Sequence, residues 1–236
     1  SGYTFQQLIR SGIEQQYSLV GVYAGDTESY DLFAPLLTPI IQDYHGSADN
    51  HPAADFSFDD LPEVSTAAQD RIISTRVRVG RNLAGFPLGP GISSSERLAV
   101  ESLIKAALQQ LPQNIQGTYL SLNDMDKTLR QDLVARHLLY KSEDRFLTSA
   151  NLMRDWPESR GLFLSHDEAF SVWVNEEDQL RIIALKQGGD VMEVFRLLAD
   201  GVKSLSAPLD FSFSESIGNI ASCPSNLGTA MRASVH

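Results

Sequence analysis

The sequence predicts an α+β fold, and three observations predict it. Two long stretches, 93–111 and 190–206, carry apolar residues at helical spacing. Two short stretches, 169–175 (AFSVWVN) and 180–186 (LRIIALK), read as strands, and the short connection EEDQ between them demands an antiparallel hairpin. The elements are mixed along the chain without the strict strand–helix alternation of a parallel sheet.

In chain order, residues 28–45 (ESYDLFAPLLTPIIQDYH) have helical apolar spacing interrupted by Pro35 and Pro39, which predicts short helices. Residues 47–70 are polar and acidic with two prolines, which predicts a linker between domains or a long surface loop. The stretch 73–82, ISTRVRVGRN, alternates polar and β-branched residues, the period of a half-buried strand. Ser74, Arg76 and Arg78 then share one face, and Val77 and Val79 the other. Ser93 and Glu96 form a capping-box pattern at the head of the first long helix. Val100, Leu103, Ile104, Ala107, Leu108 and Leu111 make its apolar stripe, and Pro112 ends it. A second helix is expected over 126–140, with Leu129, Leu133, Val134 and Leu138 inward. After the hairpin, QGGD turns the chain into the helix of 190–206. Asp190 is its cap, Glu193 completes the box, and Val194, Phe195, Leu198, Val202 and Leu205 face inward. No internal repeat or low-complexity tract occurs.

The 236 residues suffice for one large domain or two smaller ones. Thirty acidic against 19 basic residues, a net charge of -11, argue against broad nucleic-acid binding. No apolar run reaches membrane-spanning length, and the N-terminus lacks a signal-peptide pattern, so no membrane partner is expected. The lone Cys223 rules out an internal disulfide and fits a reducing, cytoplasmic setting. The histidines show no metal-ligand spacing, so no metal site is expected, and no Walker-type phosphate loop occurs.

Within this acidic chain Arg76, Arg78 and Arg81 are gathered in six residues. Guanidinium forks two residues apart on a strand stand roughly 7 Å apart, a spacing suited to a polyanion such as a triphosphate. The alternative is a solvated strand face paired with nearby carboxylates. Glu176 and Glu177 precede Arg181 at the hairpin turn, where a merely polar tip is the alternative. Cys223 opens a tight turn marked by Pro224, Asn226 and Gly228, and Arg232 follows. A lone cysteine can equally be a small buried hydrophobe.

Taken together and in order, STRVRVGR, RDWPESRG, VWVNEEDQLRII, QGGD..EVF and CPSNLGTAMRASVH resemble the phosphagen (guanidino) kinases, the arginine and creatine kinases. The opening segment, SGI…VGVYAGDTESYDLFAPLLTPIIQDYHG, resembles the end of that family's small helical domain. The resemblance implies three parts: 1–46 as the end of the helical guanidino-substrate domain, 47–70 as a linker, and 71–236 as the first part of the catalytic domain. That domain is an antiparallel sheet flanked by helices, similar to glutamine synthetase. It implies reversible transfer of the ATP γ-phosphoryl group to a guanidino substrate, with ATP or ADP and Mg²⁺. Arg76, Arg78, Arg181 and Arg232 would clamp the phosphates beside Ser74, with His236 near the nucleoside. Glu177, with Glu176 beside it, would hold the guanidinium and take its proton. Cys223 would contact it as a thiolate. A loop at Ser11, Gly12 and Ile13 would grip the substrate carboxylate through backbone N–H groups. The short span from Ser11 to Gly21 favours arginine over creatine.

The chain departs from the family pattern at Leu164 and Gln179, where histidines are expected, and it stops at His236, where family members continue. The missing stretch would carry a further phosphate-binding arginine and a second catalytic carboxylate. The expectation is an incompletely represented arginine kinase, weak or inactive by itself. The alternative is a catalytically reduced module kept for nucleotide binding or a structural role.

Overall fold

The protein is described here by a computed structural model covering residues 2–51, 54–57 and 69–236. Its centre is a six-stranded, wholly antiparallel sheet built from β1 (Ser74–Arg81), β2 (Gly117–Ser121), β3 (Gly161–Ser165), β4 (Phe170–Val174), β5 (Leu180–Gln187) and β8 (Met231–Val235). The spatial order is β2-β3-β4-β5-β1-β8. A small ribbon, β6 (Phe213–Ser214) with β7 (Gly218–Asn219), lies apart from it. The α+β class follows directly, and the predicted hairpin is β4–β5.

Alternation divides the sheet into two faces. Val77, Val79, Val172, Val174, Ile182 and Ala184 join one core cluster with helices α4 (Ser94–Leu108) and α7 (Val191–Ser206). Burying several fully enclosed aliphatic side chains of this kind, at about 1.5–3 kcal/mol each, drives that face together. Gly201 of α7 allows the closest approach: a Cβ there would lie 2.2 Å from the Phe170 ring. On the other face, Trp173 and Ile183 join Leu133, Leu138, Leu139 and Tyr140 beneath α5 (Lys127–Ala135), and the short α6 (Arg145–Ser149) follows in the chain.

The N-terminal helices are α1 (Phe5–Glu14), α2 (Ser29–Leu32) and α3 (Ala34–His45). Leu8, Tyr30, Leu37 and Ile41 share a core with Leu88, Ile220 and Leu227. The segment is therefore packed onto the sheet domain. Tyr30 Oη donates to Ala221 O at 2.7 Å across that contact. Of the expected linker, 52–53 and 58–68 lie outside the described residues.

Several helix expectations need correction. Pro39 lies inside α3 without ending it, because Leu37 and Ile41 on either side are anchored in the core. The Ser93–Glu96 box is present, but Leu103 is exposed. The inward face of α4 is rotated toward Glu101, whose carboxylate accepts from Tyr119 Oη at 2.6 Å. Helix α5 stops at Ala135, shorter than expected, and His137 follows with φ 60°. Leu138 reaches the core from that turn, and Leu129 stays exposed. Asp190 caps α7, but Glu193 pairs with Lys186 on β5 instead of closing a box. Phe195 is only half-buried.

Candidate active site

Strand β1 sends Arg76 and Arg78 to the face away from the main core. Its neighbours extend the pattern. Strand β8 sets Arg232 opposite Arg78 and Ser234 opposite Arg76. Strand β5 sets Arg181 opposite Gly80, and β4 sets Trp173 on the other side of Arg181. Both Arg76 and Arg181 lie over the Trp173 indole, 5.9 and 5.5 Å from its centroid. Among the described residues, the side chains of Arg76, Arg78 and Arg232 have no carboxylate partner. Burial lowers the Arg78 pKa to about 10, and the charges of Arg181, Arg76 and Arg232 push the same way. Burial and then Arg181 lower that of Arg76. The solvated, carboxylate-paired face allowed by the sequence is therefore not what forms. Arg81, the third arginine of the opening run, points elsewhere and donates to the carbonyls of Gly80 and Thr229.

Two hollows meet at Arg78 and Arg181, which line both. One, about 630 Å³, is walled by Ser74, Arg76, His137, Trp173 and His236. The other, about 260 Å³, is walled by His45, Asn226 and Arg232. The sequence reading missed His137. Its signal was local: the helix pattern of 126–140 had to break somewhere, and the break carries this imidazole to the hollow.

The tip of the β4–β5 hairpin is held from several directions. Asn175, at φ 57°, donates its N–H to Gln179 O at 2.9 Å. Its side-chain amide donates to Arg97 O at 3.2 Å and Ser159 O at 2.8 Å. Asp178 Oδ1 accepts from Asn82 Nδ2 and from Ser222 N, both at 2.8 Å. Gln179 accepts from Leu83 N at 2.7 Å and donates to Pro87 O at 3.0 Å. A buried amide with both ends satisfied is rigid, and this tip is no solvated turn.

That frame aims Glu176 and Glu177 at Arg181, with ion pairs of 3.1 and 2.9 Å. Asn226 Nδ2 donates to Glu177 Oε1 at 3.3 Å. Burial raises the Glu177 pKa to about 7; Arg181 opposes the rise, while Asp178 and Glu176 add to it. Glu176 and Glu177 outweigh the opposing effect of burial on Arg181 and hold it charged.

Cys223 precedes the Pro224–Asn226 turn, and Ser222 Oγ ties that turn to Glu177 O at 3.1 Å. Cys223 packs with Tyr23, Leu147, Ala150 and Leu152, with Ser225 Oγ 3.1 Å from its sulfur. Burial pushes the thiol up to about 12, Glu177 adds to the rise, and Ser225 moderates it. In this arrangement the group is a neutral thiol. The expected thiolate needs a further positive charge beside it.

Arginines without carboxylate partners among the described residues thus line two adjoining hollows, and Arg181, shared by both, is paired with Glu176 and Glu177. Two family descriptions match the chain: "ATP:guanido phosphotransferase, C-terminal catalytic domain" over 99–236, and the corresponding "N-terminal domain" over 1–42. The chain belongs to the ATP:guanido phosphotransferase family.

Relatives of this chain include an arginine kinase of Penaeus vannamei, 44% identical over 239 residues, and one of Limulus polyphemus, 43% identical over 239 residues. Each alignment covers 100% of this chain and 67% of the relative. The fold is similar to a substrate-free duplicated taurocyamine kinase from Schistosoma mansoni, with TM-score 0.94 and 35% identity, covering 100% of this chain and 34% of that one. It is also similar to a lombricine kinase, with TM-score 0.92 and 31% identity, covering 100% of this chain and 67% of that one.

One expectation about this chain fails on geometry. Ser11, Gly12 and Ile13 are not a loop but the last turn of α1, whose Thr4–Gln7 capping box the sequence reading overlooked. The Gly12 N–H is committed to Gly21 O at 2.7 Å, an approach so close that a Cβ on Gly12 would stand 2.8 Å from that oxygen. Ser11 is fully buried, its hydroxyl bonded to Ser149 Oγ and Phe146 O. The segment bordering Cys223 is instead the return from α1, where Val20 and Tyr23 pack on the same small cluster. Burial, followed by the charge of Glu177, raises the Tyr23 pKa. Leu164 is half-buried in β3 among the residues beneath α5, and His166 is exposed in the following turn.

Proposed function

We propose that this chain is the nucleotide- and guanidine-binding part of an arginine kinase, transferring the ATP γ-phosphoryl group reversibly to the guanidino nitrogen of arginine. One observation carries the reading. Three guanidiniums without carboxylate partners among the described residues, two of them in direct register, surround Arg181, which pairs with a buried carboxylate whose pKa is raised to about 7. Phosphoryl transfer needs charge compensation on the equatorial oxygens more than covalent help. Arg76, Arg78 and Arg232 supply it from a rigid sheet, and Arg181 joins them while orienting Glu177. Ser74, His137 and His236 would border the nucleoside side of the larger hollow.

A guanidinium is a poor nucleophile while fully protonated. Glu177 holds it through paired N–H···O bonds and takes one proton as the nitrogen attacks. The N–P bond forms, the bond from phosphorus to the bridging β–γ oxygen breaks, and ADP leaves. A carboxylate poised near neutral pH suits that transfer in both directions. Cys223 borders the same guanidinium, whose charge would draw the thiol toward thiolate. Among the described residues no group of three acidic, histidine or cysteine side chains could cage a metal. Magnesium would arrive on the nucleotide as part of the substrate, held by phosphate oxygens and water.

Arginine is the proposed acceptor because relatives 43–44% identical over the whole chain are named arginine kinases. The Gln15–Gly21 return is the feature that would set acceptor length. Calorimetry of ADP with the chain and with Arg78→Ala, together with phosphorus NMR of arginine and ATP, tests the proposal. Equal affinities, or no nucleotide binding by the folded chain, would overturn it. A second reading, nucleotide binding with little turnover, is favoured by Leu164 in place of the family's histidine. Binding of ADP with no binding of arginine to the ADP-loaded chain would select it.

A further inference from the structure

A much smaller cavity, separate from the two hollows, borders the Glu176–Asp178 tip. Its volume is about 10 Å³, and its wall includes Arg97, Arg160, Asn175, Glu176 and Glu177. Arg97 is 2% exposed and Arg160 is 1% exposed, the latter among the largest fully buried side chains described. Some of their N–H groups have partners. Arg97 Nη1 donates to Asp155 Oδ2 at 3.1 Å. Arg160 donates through Nη1 to Glu158 O at 3.0 Å, and through Nη2 to Leu152 O at 2.7 Å and Arg154 O at 3.1 Å. Each guanidinium keeps one buried nitrogen without a protein acceptor, Nη2 of Arg97 and Nε of Arg160.

A guanidinium cannot discharge this demand by losing its proton. A buried donor without an acceptor is costly, so two beside one cavity call for an occupant. The volume is the room one water molecule needs. The wall also specifies the chemistry. Two cationic donors ask the occupant to accept, and the carboxylate-bearing tip asks it to donate. Water does both, whereas a halide only accepts and is larger.

We infer that this cavity is a built site for one buried water, accepting from Arg97 Nη2 and Arg160 Nε and donating toward the Glu176–Glu177 tip. The water joins three segments distant in sequence: α4, the Leu152–Arg160 strap and the hairpin tip. Asn175 already bonds the first two directly, through Arg97 O and Ser159 O. Arg97 is thereby a positioning residue for the carboxylates, acting through the water and the backbone. The inference stands independently of the kinase reading.

An atomic-resolution crystal structure of the chain, with a second crystal soaked in bromide, tests it. The expected result is an ordered peak within hydrogen-bond distance of both nitrogens and no anomalous signal there. No peak, a direct contact of either nitrogen with Glu176 or Glu177, or a bromide peak would overturn it. The unaltered protein decides this whatever a variant does. Arg97→Met should also lose the peak and speed amide exchange of residues 175–179 by about tenfold. Unchanged exchange would remove the positioning role. Failure of the unaltered chain to bind ADP would sink the kinase reading and leave the water site untouched.

Discussion

Arg78 and Arg232 face each other directly across β1 and β8, like charges in register with no carboxylate partner among the described residues. Such a pair opposes the sheet by a few tenths to about 1 kcal/mol. Arg181 and Arg76 add to the repulsion felt by Arg78. A bound polyanion reverses the sign, because each guanidinium then gains a charge-assisted bond in a half-buried setting.

Removing Arg78 should therefore move stability and binding in opposite directions. Arg78→Ala should weaken ADP binding about 10- to 100-fold, the loss of one charge-assisted contact of roughly 1.5–3 kcal/mol. The ligand-free variant should melt no lower than the unaltered chain. Calorimetry and thermal melting at two salt concentrations check both halves. A lowered melting temperature with unchanged affinity would make Arg78 structural.

Glu177 gives a pH signature whose sign is fixed. Its pKa is raised to about 7 in the fold, against about 4.3 in an unfolded chain. Between those values the folded protein holds more protons. Stability from this group is thus full below about pH 4, falls as pH rises, and is gone above about pH 7. Glu177→Gln should remove that slope, gaining on the order of 2 kcal/mol relative to the unaltered chain between pH 5 and 8. Parallel stability curves for the two proteins would contradict the raised pKa. In the unaltered chain, guanidine binding near pH 6.5 should release a fraction of a proton, measurable by calorimetry in buffers of different ionisation enthalpy.

The parts legible in the sequence were those governed by local rules. The period of β1 separated Arg76 and Arg78 from Val77 and Val79, and a short connection fixed the β4–β5 hairpin. The Arg78–Arg232 register depends on pairing across more than 150 residues and has no local signal. The tip was open between a solvated turn and a site because its burial comes from distant partners, Asn82, Ser222 and Pro87. Ser11–Ile13 was expected to be a loop because the resemblance places one there, while the Thr4–Gln7 box marks a helix running through it. In the fold Gly12 serves helix-to-loop contact, not a break. The charge state of Cys223 was equally out of reach, since burial beside Glu177 overrides the hydroxyl two residues on.

Cys223 should behave as a protected thiol until a cation joins it. With its pKa pushed up to about 12, iodoacetamide should alkylate it slowly at pH 8, well below the rate of a free cysteine with pKa near 8.5. Ser225→Ala should slow it further, because the hydroxyl opposes the rise. Fast modification at pH 8 in the folded, ligand-free chain would refute the neutral-thiol assignment. The Cys223→Ser chain provides the blank.

Gln179 should prove structural. Its side chain is 1% exposed and satisfies Leu83 N and Pro87 O together. Gln179→Ala leaves both groups buried without partners and opens a small void, at about 2–4 kcal/mol. Denaturant unfolding measures that loss, and a cost below about 0.5 kcal/mol would show that neighbours or solvent replace both bonds.

The acceptor preference turns on the return from α1. Gly12 N–H bonded to Gly21 O closes the span 12–21 into a short loop. Its inner end, Val20 and Tyr23, packs beside Cys223. Leu19 is 98% exposed and Tyr17 is 89% exposed at its outer end. A loop tied so tightly at its base has little length with which to cover a small acceptor. It leaves space for a longer guanidine whose carboxylate reaches loop backbone N–H groups, which a carboxylate meets with charge-assisted bonds. In a binding panel of arginine, creatine and taurocyamine on the ADP-loaded chain, arginine should lead creatine by at least about tenfold in affinity, or about 1.4 kcal/mol. Gly12→Val should erode that lead, since its side chain meets the Gly21 backbone and must push the loop outward. A preference for creatine in the unaltered protein, or a lead untouched in a folded Gly12→Val variant, would sink the loop argument while leaving the phosphate clamp intact.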